Sequence, residues 1–324
     1  MAQPKKLMAV INPISGTSNK ASIPEMLDKV IDKTKFDLSI RFTEYASHAT
    51  KLAEEAISSQ YAGVLAIGGD GTVNEVAAAL RDSQTALGII PCGSGNGLAR
   101  HLNIPINIEK ALAIINEEHI EDLDYCTANA RPFFCTCGVG FDALVSEKFA
   151  QAGKRGPITY MQKALVEYLK YRSEIYSIET ADNILTEKAF LIACGNASQY
   201  GNNAFIAPQA SMKDGLIDVT VILPFTPIDT AIMGLLLFTK HLDQDTNIHS
   251  FRTPELTIRR PKPGIMHLDG EPVMMDADIK IKCHKGGIRI FLPHEDSENK
   301  KNLLSPIEDS FWSFVNAIRN ELKI

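Results

Sequence analysis

The chain has 324 residues, 45% of them hydrophobic and 22% charged, which is enough apolar material for two packed domains. A formal net charge of -6 gives no reason to expect nucleic acid, which calls for a basic surface, and it argues against purely electrostatic attachment to an anionic membrane. The six cysteines (Cys92, Cys126, Cys135, Cys137, Cys194, Cys283) lie among apolar neighbours with no CxxC pair, so they read as buried free thiols rather than zinc ligands.

In chain order, the start carries positive charge but no long apolar stretch and no cleavage signature, so Leu7–Ile11 reads as a first strand rather than a leader. An Asn12-Pro13-Ile14-Ser15-Gly16 turn follows. Ile23, Met26, Leu27, Val30 and Ile31 share one side of a helix. Phe36–Phe42 alternates as a strand, and Ser47 is placed to cap a helix running to about Ser59. Val64–Ile67 predicts a buried strand leading into Gly68-Gly69-Asp70-Gly71, with the next helix over Val73–Leu80. Leu87–Ile90 predicts another strand, which ends in a second glycine-rich turn, Cys92–Gly97. Strands alternating with helices on short connections imply an open, mostly parallel sheet, with ligands beyond the carboxyl ends of its strands.

The pattern changes near Ile120. Short strands are expected at Phe133–Val139, Ala189–Ala193, Leu216–Leu223, Glu255–Arg259, Ile279–Cys283 and Ile288–Leu292, with helices around Ile158–Tyr171 and Ile228–Lys240. The expected division is 1–122 for an α/β domain and 123–293 for a β-rich domain. The tail 294–324 contains an amphipathic helix (Phe311, Phe314, Val315, Ile318, Leu322) expected to pack back on the protein, with membrane contact as the other reading. The longest apolar run, Ile232–Phe238, falls far short of the ~20 residues that span a bilayer, so a cytoplasmic protein is expected.

Two segments carry chemistry. In Ile67-Gly68-Gly69-Asp70-Gly71-Thr72-Val73-Asn74-Glu75, adjacent glycines after a strand let main-chain N–H groups approach a polyphosphate, and the following helix presents its positive end to it. Asp70 can fix Mg²⁺-bound phosphate or position a hydroxyl. Pro91-Cys92-Gly93-Ser94-Gly95-Asn96-Gly97 follows its strand in the same way. Neither loop has Walker spacing or the GxGxxG of a dinucleotide fold, so the phosphate grip is of another kind.

With further markers, the chain resembles the diacylglycerol kinase catalytic-domain family, which includes sphingosine and ceramide kinases and bacterial lipid kinases. The markers are Asn12-Pro13 with Ser15-Gly16, Thr43 with His48-Ala49, GGDGTVNE at 68–75, PCGSGN at 91–96, Asp124, GFDA at 140–143, Gly195-Asn196 with Tyr200-Gly201, Lys213-Asp214-Gly215-Leu216, and Leu268-Asp269-Gly270-Glu271-Pro272. The resemblance spans Lys6 to about Leu292. It implies an N-terminal three-layer α/β nucleotide-binding domain, NAD-kinase- or phosphofructokinase-like, and a C-terminal β-sandwich.

The resemblance implies an ATP site between the domains, lined by Asn12, Pro13, Ile14, Ser15, Gly16, Thr43, Gly68, Gly69, Asp70, Gly71, Thr72, Val73, Asn74, Glu75, Ser94 and Asn96. It implies a Mg²⁺ site at Asp214 with backbone oxygens near Ser211 and Leu216, tied by water to Asp124. Asp269 and Glu271 match the acidic pair that supplies the catalytic base, and Asp70 is taken with them as catalytic. The chemistry agrees: a hard cation wants oxygen ligands, and a lipid alcohol must lose its proton as it attacks.

Two departures stand out. Gly97 replaces an acidic residue common in bacterial members, which leaves the lipid open, and Thr17 replaces a basic residue, which removes one phosphate contact. Lys148, Lys154, Arg155, Lys163, Lys170 and Arg172 mark a basic helical stretch that could rest on an anionic membrane. The expectation is an ATP- and Mg²⁺-dependent lipid kinase on diacylglycerol or a sphingoid-type lipid, peripheral to the inner membrane surface, with a homodimer left open. The alternatives are a NAD kinase, which shares GGDGT, and a catalytically silent nucleotide- or lipid-binding regulator.

Overall fold

The computed structural model describes residues 3–15, 20–151, 171–226, 233, 236–244 and 246–294. They divide into two compact units. One runs to Tyr125 and takes the chain back at His284, and the other holds Cys126–Cys283. The expected helices around 158–171 and in the tail lie outside the described residues. Of the helix expected over 228–240, residues 233 and 236–240 are described, and all but Lys240 are helical. No helix among the described residues is long and apolar enough to cross a membrane.

The first unit alternates β1 (Lys5–Ile11), α1 (Ile23–Val30), β2 (Phe36–Phe42), α2 (His48–Ser58), β3 (Gly63–Gly68), α3 (Asp70–Leu80) and β4 (Ala86–Pro91). Short helices α4 (Gly97–His101) and α5 (Ile108–Ile115) follow, and then β5 (Ile120–Ala128) leads out. The strands lie parallel in the order β2-β1-β3-β4. Every residue of β3 and β4 is buried, as a sheet covered on both faces demands. The covering helices pair as α2 with α3 and α1 with α5, giving three layers. In α2 the buried residues Ala49, Leu52, Ala53 and Ala56 recur at helical spacing, and burying each leucine-sized side chain contributes about 1.5–3 kcal/mol.

Two local expectations change here. Ser47 stands at the N-cap of α2 but is left-handed (φ 65°), and its hydroxyl makes no cap bond. Its N–H donates instead to Glu75 Oε1 at 3.0 Å. Helix α3 starts three residues before the expected Val73, at Asp70, because the glycine loop itself forms its first turn.

The second unit contains β6 (Arg131–Phe133), β7 (Thr136–Gly140), α6 (Phe141–Gln151), β8 (Glu174–Glu179), β9 (Ile184–Ala189), β10 (Leu191–Gly195) and β11 (Ile217–Ile222). It continues with β12 (Ile248–Thr253), β13 (Glu255–Arg259), β14 (Gly264–Leu268) and β15 (Glu271–Met275); β16 (Asp278–Phe291) then carries the chain back. One layer is a six-stranded antiparallel sheet, β12-β11-β10-β7-β14-β15, and the other is built on β13, β8, β9 and the start of β16. The core between them holds Phe133, Tyr176, Ile258 and Ile279 from one side and Val139, Ile192, Val219 and Met266 from the other. Cys137 and Cys194 face each other across β7 and β10 within it, and burial pushes the Cys137 thiol well up. All six cysteines are free and buried.

Four expected strands differ. Phe133–Val139 is two strands, broken at Phe134 and Cys135, whose N–H groups turn to the Asp269 carboxylate. The segment expected over Ala189–Ala193 divides at Phe190 between β9 and β10. Ile279–Cys283 and Ile288–Leu292, but for Leu292, lie instead on the single long strand β16, which passes the left-handed Gly286 without ending. The segment from His284 returns to the first unit, where Ile290 pairs in parallel with Leu87 of β4.

Candidate functional site

Strands β3 and β4 deliver the two glycine-rich loops side by side in the first unit. Cys92 N–H donates to Gly68 O at 2.7 Å, which locks the loops together as they leave the sheet. A Cβ on Gly93 would lie 2.7 Å from Gly69 Cα, so the two backbones touch at a distance only glycine allows. Asp70 fixes that contact. Its Oδ2 accepts from Asn96 N–H at 2.9 Å and its Oδ1 from Gly97 N–H at 2.8 Å. Asn96 is left-handed (φ 51°) and closes its own loop, accepting from Gly93 N–H and donating to Gly93 O.

Asp70 and Asn96 are therefore committed to shaping the loops. The loops also leave main-chain donors that the helix does not use. The first bond within α3 runs from Val73 N–H to Gly69 O, so the amides of Asp70, Gly71 and Thr72 precede the helical ladder. Gly71 and Ser94 are exposed.

The Asn12 loop joins this cradle. Asn12 N–H donates to Ile67 O at 3.1 Å, its Nδ2 donates to Thr72 Oγ1 at 3.0 Å, and its Oδ1 accepts from Ile14 N–H at 3.2 Å. Pro13 and Ile14 are exposed, Ser15 is buried, and Gly16 lies outside the described residues. Thr43 ends β2, its N–H donating to Ile11 O at 2.9 Å. Val73 is buried in the helix packing, Asn74 is half-buried, and Glu75 is occupied in holding the start of α2.

A residue the motifs did not single out completes the loop. Lys20 is only 6% exposed, and its ammonium donates to Asn12 O at 2.6 Å and to the carbonyl and hydroxyl of Ser15. Burial lowers its pKa, and the nearby Cys92 works the other way. Its signal in the sequence was a lysine three positions beyond Thr17, where the family's basic residue is absent. Arg100 is the second cation. Its Nε donates to Gly95 O at 3.1 Å, and its pKa is lowered by burial against the pull of Asp70.

In the second unit, Asp269 and Gly270 form the two-residue turn between β14 and β15, with φ of 48° and 84° and Leu268 paired to Glu271. Left-handed values at both positions are those of a type I′ hairpin, which Asp-Gly favours. The Asp269 carboxylate accepts three main-chain N–H bonds, from Phe134 (2.8 Å), Cys135 (2.8 Å) and Thr136 (3.0 Å). Glu271 is exposed, and its carboxylate has no hydrogen-bond or ion-pair partner among the described residues.

The residues matched to a metal fall in both units. Asp124, 1% exposed, belongs to the first unit, where its Oδ1 accepts from Gly286 N–H at 2.8 Å. Asp214, Ser211 and Leu216 share a turn of the second unit, with Leu216 N–H donating to Asp214 Oδ1 at 3.0 Å and Gly215 left-handed. Arg252 lies 4.0 Å from Asp214 Oδ2 and bonds Asp218 Oδ1 at 2.9 Å. Asp218 Oδ2 is buried without a hydrogen-bond partner, and desolvation raises its pKa despite Arg252. An exposed carboxylate, main-chain carbonyls of a turn and a second carboxylate with an unpaired oxygen are the hard donors Mg²⁺ takes, so the residues fit it. Among the described residues, no group of three or more His, Cys, Asp or Glu is arranged to hold a metal by side chains alone.

Residues 6–128 match the family model of the diacylglycerol kinase catalytic domain, and residues 135–291 match the YegS C-terminal NAD kinase beta sandwich-like domain. A probable lipid kinase, YegS-like, of Pseudomonas aeruginosa is 30% identical over 266 residues, covering 79% of this chain and 85% of that one. A protein of the same description from Yersinia pestis is 28% identical over 263 residues, covering 79% of this chain and 87% of its own. Among solved structures, a putative diacylglycerol kinase from Bacillus anthracis str. Sterne superposes with a TM-score of 0.74 at 22% identity, covering 91% of this chain and 97% of that one. An NAD kinase from Archaeoglobus fulgidus in complex with ATP shares the fold more distantly, with a TM-score of 0.53 at 14% identity, covering 93% of this chain and 98% of its own.

Proposed function

The chain belongs to the diacylglycerol kinase catalytic-domain family of lipid kinases, and from that premise we propose that it transfers the γ-phosphate of ATP to the hydroxyl of a membrane lipid of the diacylglycerol or sphingoid class. The observation that carries the reading is the pair of glycine loops in backbone contact at Gly69 and Gly93, clamped by Asp70, with the first amides of α3 left outside the helical ladder. Such a cradle suits a polyphosphate, because phosphoryl transfer needs positioning and charge neutralisation more than covalent help.

The roles then divide. The amides at 70–72, with Ser94 and the Asn12 loop, hold the triphosphate, and Lys20 adds positive charge in place of the missing basic residue at Thr17. Asp214, with the carbonyls of Ser211 and Leu216, would hold Mg²⁺, which when bound supplies charge that neutralises phosphate. The lipid oxygen attacks the γ-phosphorus, the bond to the bridging oxygen of ADP breaks, and the hydroxyl proton passes to the acidic pair of the β14–β15 turn. Within that pair, Asp269 is held by three amides and sets the position of the turn, whereas Glu271 has uncommitted oxygens. The acceptor is a bilayer component, so the enzyme works as a peripheral protein at the cytoplasmic membrane surface.

The test is radiolabelled ATP with diacylglycerol, monoacylglycerol, ceramide, sphinganine and phosphatidylglycerol in mixed micelles, and NAD in a parallel soluble assay. Labelled lipid is expected. Label in NADP alone would replace the reading with NAD kinase, and no labelled product of either kind would make the protein a silent binder. Glu271→Gln is expected to lower kcat by about 10²–10⁴-fold, the usual contribution of a general base, with KM for ATP unchanged. Asp269→Asn cannot serve alone. Its amide would set an NH₂ against a main-chain N–H and displace the turn as well as remove the charge.

A further inference from the structure

Behind the acidic turn lies a polar cluster that the phosphotransfer reading does not use. His267 is 1% exposed and Asp142 is 8% exposed, both in the second unit, and His267 Nε2 lies 3.0 Å from Asp142 Oδ2. The Tyr200 hydroxyl donates to the same oxygen at 3.0 Å, and Ala143 N–H donates to Oδ1 at 2.7 Å. The Tyr200 ring meets the imidazole edge-on, with centroids 5.7 Å apart. Room for the cluster is left by Gly138, where a Cβ would lie 2.2 Å from Asp142 Oδ2 and 2.9 Å from His267 Nε2. A buried carboxylate with three donors and a glycine cleared for it is a built feature.

The other imidazole nitrogen points to the turn. Gly270 N–H donates to His267 Nδ1 at 3.4 Å. In a two-residue hairpin the amide of the second turn residue has no partner in the strand ladder, so this bond answers a main-chain donor that the fold leaves over. An amide can only donate, so Nδ1 carries the lone pair and Nε2 carries the proton, which goes to Asp142. Asp142 thus selects the tautomer that lets His267 hold Gly270.

We propose that His267, oriented by Asp142 and Tyr200, is a positioning residue of the phosphotransfer reaction: by accepting from Gly270 it fixes the β14–β15 turn and with it the acids on either side of Gly270. This deepens the lipid-kinase reading and rests on it. Asp269 is anchored on its own side by the amides of 134–136, so Glu271, beyond the glycine, depends most on the His267 contact. A displaced base costs turnover more than nucleotide binding.

Three variants at one position separate the contacts. His267→Asn keeps an oxygen near Nδ1 to accept from Gly270 and gives up Asp142. His267→Gln keeps a nitrogen near Nε2 for Asp142 and gives up Gly270. His267→Phe gives up both. The expected result is a fall in kcat of about 10²-fold for Phe and Gln with KM for ATP unchanged, and recovery of most of that loss by Asn. Hydrogen exchange of the Gly270 amide, followed by NMR on the full chain, should run faster in Gln and Phe than in wild type and stay slow in Asn.

Wild-type kcat in all three variants, or recovery by Gln and not by Asn, would overturn the assignment. If Phe fails to fold, the Asn–Gln contrast decides alone. If the wild type labels no lipid, the lipid-kinase reading falls. The exchange data then judge the His267–Gly270 contact separately, and equal rates in Asn and Gln would end it.

Discussion

At the scale of single residues, the instructive case is Asp70. Its sequence position invites a role in touching metal or phosphate, yet both carboxylate oxygens accept amides of the second loop. This makes a prediction that separates strut from ligand. In Asp70→Asn the new NH₂ faces a main-chain N–H, so a clamp bond is lost and a buried donor is left unpaired, at a cost of about 1–3 kcal/mol. The expected outcome is a lower urea midpoint together with a KM for ATP raised at least about tenfold, since tenfold corresponds to ~1.4 kcal/mol. A variant as stable as wild type, impaired only in turnover, would return Asp70 to direct contact with the reacting groups. Asn96 teaches the same lesson, its side chain being spent on Gly93. Glycine loops were legible as phosphate cradles because the absence of a Cβ is visible in sequence. Which polar residue reaches outward was not, because that is decided by contacts between segments far apart in the chain. Lys20 was missed because it stands three positions beyond the expected basic site, and only the fold brings it back 8 positions to Asn12 O.

At the scale of elements, the alternating pattern read correctly wherever one strand faced one environment. β2 and β13 occupy the expected residues, and β1, β3 and β4 extend theirs by a residue or two. It failed where main-chain groups serve something other than the ladder. Phe133–Val139 is apolar but for Thr136 and reads as one strand, yet the amides at 134–136 leave the sheet pattern to bind Asp269. The break is part of the site, and only knowledge of the distant carboxylate could have revealed it. The Leu268-Asp269-Gly270-Glu271 turn is the reverse case, since Asp-Gly between strands announces a hairpin and the structure places one there. Its backbone gives a clean prediction. A Cβ on Gly270 would meet nothing within 4 Å, so Gly270→Ala pays only for φ of 84°, about 1–2 kcal/mol in unfolding free energy. Gly270→Asn should cost less, because asparagine tolerates that region. Denaturant titration of the three proteins ranks them, and equal losses for Ala and Asn would mean that the turn resists any side chain for another reason.

At the scale of the whole molecule, the proposed labour is split by unit: main-chain amides of the first hold the nucleotide, and the acids of the second take the proton. Binding and turnover should therefore separate on mutation. A ligand that binds only the folded state stabilises it by RT ln(1 + [L]/Kd), about 2.7 kcal/mol at a hundred times Kd. Mg²⁺ and ATP at that excess should raise the thermal midpoint of the wild type and of Glu271→Gln equally. Asp70→Asn should show little of the rise, because its loops no longer hold their shape. Differential scanning of all three proteins, with and without nucleotide, makes the comparison. A Glu271→Gln protein that lost the ATP-dependent rise would place that carboxylate in nucleotide binding. The proton would then have to go elsewhere, and Asp269, despite its three amides, would be the acid left to receive it.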